Sequence, residues 1–216
     1  VEIIPAIIAQ NIGEVEEKIR LEEPYVSWAQ LDIMDGRFVE ERTWNNPKEL
    51  SSIETRLHLE ADLMVFDPVI AVTSWLESKV ERIFVQKEAF GGTNADIEIR
   101  ETIERIHAQG KEAGLTLNVE TPVAEVFPWL KVIDWVLLRG GTPGSYGQPF
   151  QNIVLDKIRM LKSRDSLIKI MVDGGVRLDL VRTLKEAGVN ALAVGSAIWR
   201  APDIKEAIEA FRKEAA

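Results

Sequence analysis

The sequence predicts an α/β protein, a single (β/α)8 barrel spanning residues 1–216, on three observations. Short apolar, β-branched runs alternate with longer stretches of helical periodicity, and that alternation calls for a parallel sheet. It repeats eight times in units of about 27 residues, the number of units that closes a barrel. No linker, low-complexity tract or shift in composition interrupts it, and 46% hydrophobic residues suffice for one packed core. A doubly wound open sheet is the alternative for the same alternation.

The first strand is read over Glu2–Ile8, with a helix near residues 13–23. The second, Trp28–Met34, leads to a helix at 47–56 opened by Pro47, a residue suited to a first helical turn. Leu57–Val65 is the third strand, and Pro68 opens the helix at 68–78 in the same way. Arg82–Lys87 precedes a helix at 95–113, started by Asn94 with Asp96 and Glu98 in the first turn. Gly114 is read as the stop of that helix, ahead of the fifth strand, Leu115–Val119. A helix at 123–131 follows, then the sixth strand, Trp135–Leu138, and a helix at 151–163. The seventh strand, Ile168–Val172, is followed by a helix at 177–187 that Gly188 ends. Ala191–Val194 is the eighth, with a short helical stretch after Gly195-Ser196 and a last helix at 203–214.

Composition removes several classes of function. Lys and Arg number 26 against 35 Asp and Glu, a net charge of −9, which makes nucleic acid and anionic membranes poor partners. The absence of cysteine excludes disulfides, thiolate metal sites and cysteine nucleophiles. Two histidines, His58 and His107, are too few for a Ser/His/Asp set or a histidine zinc site. His107 falls in a polar helix and reads as a surface residue, while His58, early on its strand, reads as a hydrogen-bonded core residue. Trp199 either lines the barrel mouth or packs under a helix. Apolar runs are about one strand long, and no secretory signal opens the chain, so a cytoplasmic protein is expected.

In such barrels the chemistry sits at the carboxyl ends of the strands. Side chains alternate along a strand, so Gln30, Asp32 and Met34 share a face. So do His58, Glu60, Asp62 and Met64, as do Gln86 with Glu88 and Asn118 with Glu120. Arg139 stands at the end of the sixth strand, and Lys169, Met171 and Asp173 share a face of the seventh. Asp32, Asp62 and Asp173 are thereby expected to converge, with Glu60, Glu88 and Glu120 as further candidates. Like charges in a low-dielectric cleft need protons, a cation, or Arg139 and Lys169 as neighbours. The single glutamates fit a wet rim equally well. Asp32 and Asp173 differ, because each ends a strand beside a glycine turn and they come from distant units. Two carboxylates flanking a small substrate are what proton shuttling needs. Glycines supply the second signal: Gly140 through Gln148, Gly174-Gly175 and Gly195-Ser196 follow strands six, seven and eight. Backbone N–H groups at such turns cradle phosphate.

Leu31-Asp32-Ile33-Met34-Asp35-Gly36-Arg37-Phe38-Val39 closely resembles the signature after strand two of the ribulose-phosphate 3-epimerase family. Pro143-Gly144 with Gly147-Gln148 and Phe150 is similar to that family's strand-six phosphate loop. Val172-Asp173-Gly174-Gly175-Val176 and Gly195-Ser196-Ala197-Ile198 match its strand-seven and strand-eight motifs. Ile4-Pro5-Ala6-Ile7 and Leu63-Met64-Val65 extend the likeness to the first and third strands. The resemblance implies a ribulose-phosphate-binding barrel that inverts C3 of a ketose phosphate through a cis-enediolate. It implies Asp32 and Asp173 as acid and base, and Met34 and Met64 packed around the intermediate. It implies phosphate on Gly144, Ser145, Tyr146, Gly147, Gly174, Gly175, Gly195 and Ser196, and commonly a homo-oligomer. The family's divalent metal is held by the two aspartates and two histidines.

Here those histidine positions carry Gln30 and Asp62, a third histidine position carries Gln86, a serine is Ala6, and a methionine is Arg139. Two outcomes are open. Asp32, Asp62 and Asp173 with the Gln30 carbonyl form an all-oxygen site suited to Mg²⁺ or Mn²⁺. Alternatively no metal binds, and Arg139 or Lys169 supplies the positive charge at the substrate. The expected function is a phosphosugar epimerase of this family, with a non-catalytic or re-purposed phosphosugar-binding barrel as the alternative. A Schiff-base aldolase would have to use Lys169 or Lys87, and a decarboxylase of the Asp-x-Lys-x-x-Asp type is disfavoured because Met34 stands at the lysine position.

Overall fold

The computed structural model describes residues 1–144, 147 and 149–216. Eight parallel strands close into a barrel in sequence order, which selects the barrel over the open sheet. They are β1 (Glu2–Ile7), β2 (Trp28–Met34), β3 (His58–Met64), β4 (Arg82–Gln86), β5 (Glu112–Leu117), β6 (Trp135–Arg139), β7 (Lys169–Asp173) and β8 (Ala191–Val194). Around them run α1 (Ile12–Glu22), α2 (Pro68–Trp75), α3 (Ala95–Ala108), α4 (Ile153–Arg164), α5 (Val181–Ala187), α6 (Ser196–Trp199) and α7 (Ile204–Ala215).

Both faces of every strand are covered, hence the near-continuous apolar runs. Outward residues such as Leu31, Leu63, Val85, Val136 and Val172 pack with the helices. Inward, Ile4, Ala6, Phe84, Trp135, Leu137, Met171, Ala191 and Ala193 form a second, smaller core.

Several expected boundaries differ, each for a local reason. The segment after β2 is a 3-10 helix, Pro47–Ser52, rather than an α-helix. The Ser51 and Ser52 hydroxyls donate back to the carbonyls of Lys48 and Glu49, competing with a longer helix. The segment after β5 is also 3-10, Val123–Trp129, because Pro128 has no N–H for an α-helical bond. A 3-10 turn, Leu178–Leu180, precedes α5, which Gly188 ends in the left-handed conformation as expected. Gly114 does not stop a helix: α3 ends at Ala108 and Gly114 lies inside β5. Its missing side chain is a packing requirement, since a Cβ there would stand 2.2 Å from the Phe84 ring that fills the barrel.

The two barrel ends are built differently. At the amino end of the strands, the Arg82 guanidinium lies between the rings of Trp28 and Trp135, at 4.1 and 4.0 Å. It bonds Glu60 at 2.5 Å and Glu112 at 2.8 Å, and Lys169 bonds Glu112 from outside at 2.7 Å. Glu60 and Lys169 therefore belong to the floor and not to the mouth where alternation alone had placed them. His58 is there too, exposed rather than in the core, stacked on Trp28 and bonded to Glu81. No helix among the described residues is long and apolar enough to cross a membrane.

Candidate active site

Register brings the mouth together. Asp32 pairs with Asp62 across β2 and β3, and Arg139 pairs with Asp173 across β6 and β7. Two neighbouring acids thus face an arginine–acid pair across the barrel. Asp32, Asp62 and Asp173 each offer an oxygen within 4.8 Å of the others. The Arg139 guanidinium reaches between them and donates to Asp62 Oδ2 through Nη2 and to Asp173 Oδ2 through Nη1. Gln30 Nε2 donates to Asp32 Oδ1 at 2.8 Å and to Asp173 Oδ2 at 3.3 Å, and Gln86 Nε2 donates to Asp62 Oδ1 at 2.8 Å. Gln30 accordingly turns its amide nitrogen, not its oxygen, toward the acids.

A cleft of about 520 Å³ opens above this cluster. Asp32, Asp173, Arg139, Met34 and Met64 line it, with Ala6 and Ile8 from the end of β1. Asp32 and Asp173 each keep 7% exposure whereas Asp62 has none, so Asp62 lies beneath the cleft and holds Arg139 from below. The far side is glycine backbone: Gly141, Gly144, Gly147, Gly174, Gly175 and Gly195, with Ser196. The expected phosphate residues Ser145 and Tyr146 lie outside the described residues. Glycine is enforced here by close approach, since a Cβ on Gly140 would stand 2.0 Å from the Gly174 carbonyl oxygen.

The electrostatics of the cluster follow from burial. Burial raises the Asp32 carboxyl well above the ordinary aspartate value, and the Asp173 and Asp62 charges add to it. Burial likewise raises Asp173, against the opposing pull of Arg139 and Gln30, and brings Asp62 to about 6, again against Arg139. Asp32, which receives no hydrogen bond from Arg139, is the member whose protonated form burial favours with the least opposition.

The other expected candidates stand elsewhere. Glu88 braces the β5 end by accepting from the Asn118 N–H and the Thr121 hydroxyl, and Glu120 is exposed. Lys87 pairs with Glu125 at 3.4 Å, and no lysine or histidine lines the cleft among the described residues. The Schiff-base reading therefore has no nucleophile in place. His107 is partly exposed and bonds Asp134. Trp199 packs beneath the mouth and donates to the Ala6 carbonyl at 2.8 Å.

Three residues outside the sequence reading shape the site. Thr43 bonds the Asp32 carbonyl and the Met34 N–H, both at 2.8 Å, fixing the end of β2. Asp35 accepts from the N–H groups of Arg37, Phe38 and Phe66, joining the loops after β2 and β3. The Asp-Gly turn was its visible signal. Arg200, exposed at the end of α6, sits beside Gly147, with Nη1 3.2 Å from where a Cβ would stand.

Three carboxylate oxygens are a donor set suited to a hard divalent ion. Arg139 spans two of them, however, and the amides point N–H groups at the rest, so the cluster as arranged accommodates a guanidinium rather than a metal ion. Lys169, the other expected source of charge, is at the opposite end of the barrel.

Fold and site together define a (β/α)8 barrel with three buried aspartates and an arginine clustered at its mouth, faced by glycine turns. The model of the ribulose-phosphate 3-epimerase family matches residues 2–199, and the chain belongs to that family. It is 33% identical over 217 residues to the ribulose-phosphate 3-epimerase of Synechocystis, covering 97% of this chain and 92% of that one. The ribulose-phosphate 3-epimerase of Bacillus subtilis is 31% identical over 222 residues, covering 98% of each. Among solved structures, the 3-hexulose-6-phosphate synthase of Salmonella typhimurium superposes with a TM-score of 0.74 at 17% identity, over 100% of this chain and 98% of that one. The 3-keto-L-gulonate-6-phosphate decarboxylase of Vibrio cholerae gives 0.73 at 15% identity, over 99% and 96%.

Proposed function

We propose that the chain is a phosphosugar epimerase that inverts the carbon next to the carbonyl of a small ketose phosphate, with Asp32 and Asp173 as the proton-transfer pair. The observation that carries the reading is that these two acids, from strands 141 positions apart in the chain, are the carboxylates that face the cleft. Ionised Asp173 removes the proton on carbon, giving an enediolate, and protonated Asp32 delivers its proton to the opposite face. The pair carries one proton before and after turnover and two while the enediolate is held, and each turnover leaves the remaining proton on the other aspartate, so both epimers are substrates. Gly144, Gly147, Gly174, Gly175, Gly195 and Ser196 hold the phosphate through backbone N–H groups, and Arg200 adds charge beside that cradle. Met34 and Met64 cover the planar intermediate and keep water from it. The acidic, cysteine-free chain supports a cytoplasmic setting.

The test is ¹H NMR in D₂O with ribulose 5-phosphate and other ketose phosphates. Loss of the C3–H signal with appearance of the epimer is expected. Binding of a ketose phosphate without C3–H exchange would instead establish the alternative reading, a phosphosugar-binding barrel. The ion pair that occupies Asp173 is the observation in favour of that alternative.

A further inference from the structure

We propose that Arg139 is the resident cation of this barrel: its guanidinium takes the place among Asp32, Asp62 and Asp173 that a divalent ion would fill, and the site works without metal. Only the effect of that charge on a substrate rests on the epimerase reading; whether an ion can enter does not.

The donor pattern is the first argument. A divalent ion ligates acceptors, and all five hydrogen bonds that Arg139, Gln30 and Gln86 direct at the trio's oxygens come from N–H donors. Seating an ion would break both guanidinium bonds and leave a buried arginine unpaired beside a second cation, an arrangement that burial penalises heavily. The anchor is the second argument. Asp62 is fully buried below the cleft and divides its oxygens between Arg139 and Gln86, so its position serves the guanidinium and not a ligand. The third argument is the donor left over. Arg139 Nε is buried without a partner among the described residues, and the side chain lines the cleft. A permanently charged side chain that lines the cleft is suited to stabilising an enediolate oxygen, where preorganised charge acts most strongly. Asp62 is then a positioning residue that acts through Arg139.

The experiment is a Mn²⁺ titration of the chelator-stripped protein followed by EPR, without any substrate, beside Arg139→Gln and Arg139→Met. The wild type is expected to hold Mn²⁺ no more tightly than about 1 mM, the weak end of oxygen-ligand sites. The folded variants are expected to gain about tenfold or more, because the carboxylates lose the guanidinium that bonds two of them. Added ethylguanidinium should displace Mn²⁺ from the variants. One Mn²⁺ per wild-type chain at micromolar affinity would overturn the proposal, and so would folded variants that hold none. The wild-type titration decides even if neither variant folds. Because no substrate enters the EPR experiment, failure of the epimerase reading appears separately, as absence of C3–H exchange.

Discussion

Asp32 and Asp173 sit in one pocket yet differ in how burial acts on them, because of the two only Asp173 accepts a hydrogen bond from the guanidinium. Acid–base exchange across a substrate depends on that inequality. Asp32→Asn and Asp173→Asn are therefore each expected to lower kcat by about 10²–10⁴ with little change in KM, checked by steady-state kinetics against a matched thermal melt. Arg200→Ala addresses the cradle instead. Its expected signature is a KM about tenfold higher at unchanged kcat, read in the same assay. The acids and glycines of this site were legible because they recur at strand ends in the right chain order. Arg139 was legible as a residue but not as a partner, since its contacts cross the barrel from β6 to β3. Lys169 shows the complementary limit. Alternation assigns a side chain to a face, but height along the strand decides which end of the barrel it serves, and Lys169 is the first residue of its strand.

At the scale of single elements, helix α1 carries a buried acid with no hydrogen-bond partner among the described residues. Both oxygens of Glu22 are without hydrogen bonds, and burial raises its carboxyl well above the ordinary glutamate value, opposed only by the Lys18 charge. The folded form holds this proton more tightly than the unfolded one, so its contribution is most favourable below the unfolded pKa and is lost as pH rises toward the folded value. Glu22→Leu is expected to raise stability by about 1–3 kcal/mol at pH 8, with a smaller gain at pH 5, in chemical denaturation at the two pH values. Strand β5 offers a second case. Gly114→Ala forces a methyl into the Phe84 ring and is expected to cost about 1–3 kcal/mol, with part recovered in the double variant that adds Phe84→Leu. Glycine is a helix stop in most sequences, and only the size of the opposing ring reveals that this one makes room. The 3-10 segments hid for a similar reason. Their apolar spacing is helical, and the hydroxyls of Ser51 and Ser52 and the missing N–H of Pro128 act on the backbone, which periodicity does not report.

Over the whole molecule, chemistry and stability are divided between the barrel ends. Arg82→Met strips the floor of the charge that Glu60 and Glu112 share and is expected to cost about 3–5 kcal/mol, while kcat of the folded fraction stays at the wild-type value. Parallel melts and kinetics would show the reverse pattern from Asp32→Asn. The eightfold alternation was the most legible level, because short apolar runs of strand length alternate with longer stretches of helical periodicity. The bridge from Asp62 through Arg139 to Asp173 reaches further than the reaction. An acid at 62 without an arginine at 139, or the arginine without the acid, leaves a buried charge uncompensated. Either exchange made alone carries that cost, so the two positions are coupled and are expected to change together. Among related chains, aspartate at 62 and arginine at 139 are expected to be kept or lost as a unit, so that one is seldom found without the other.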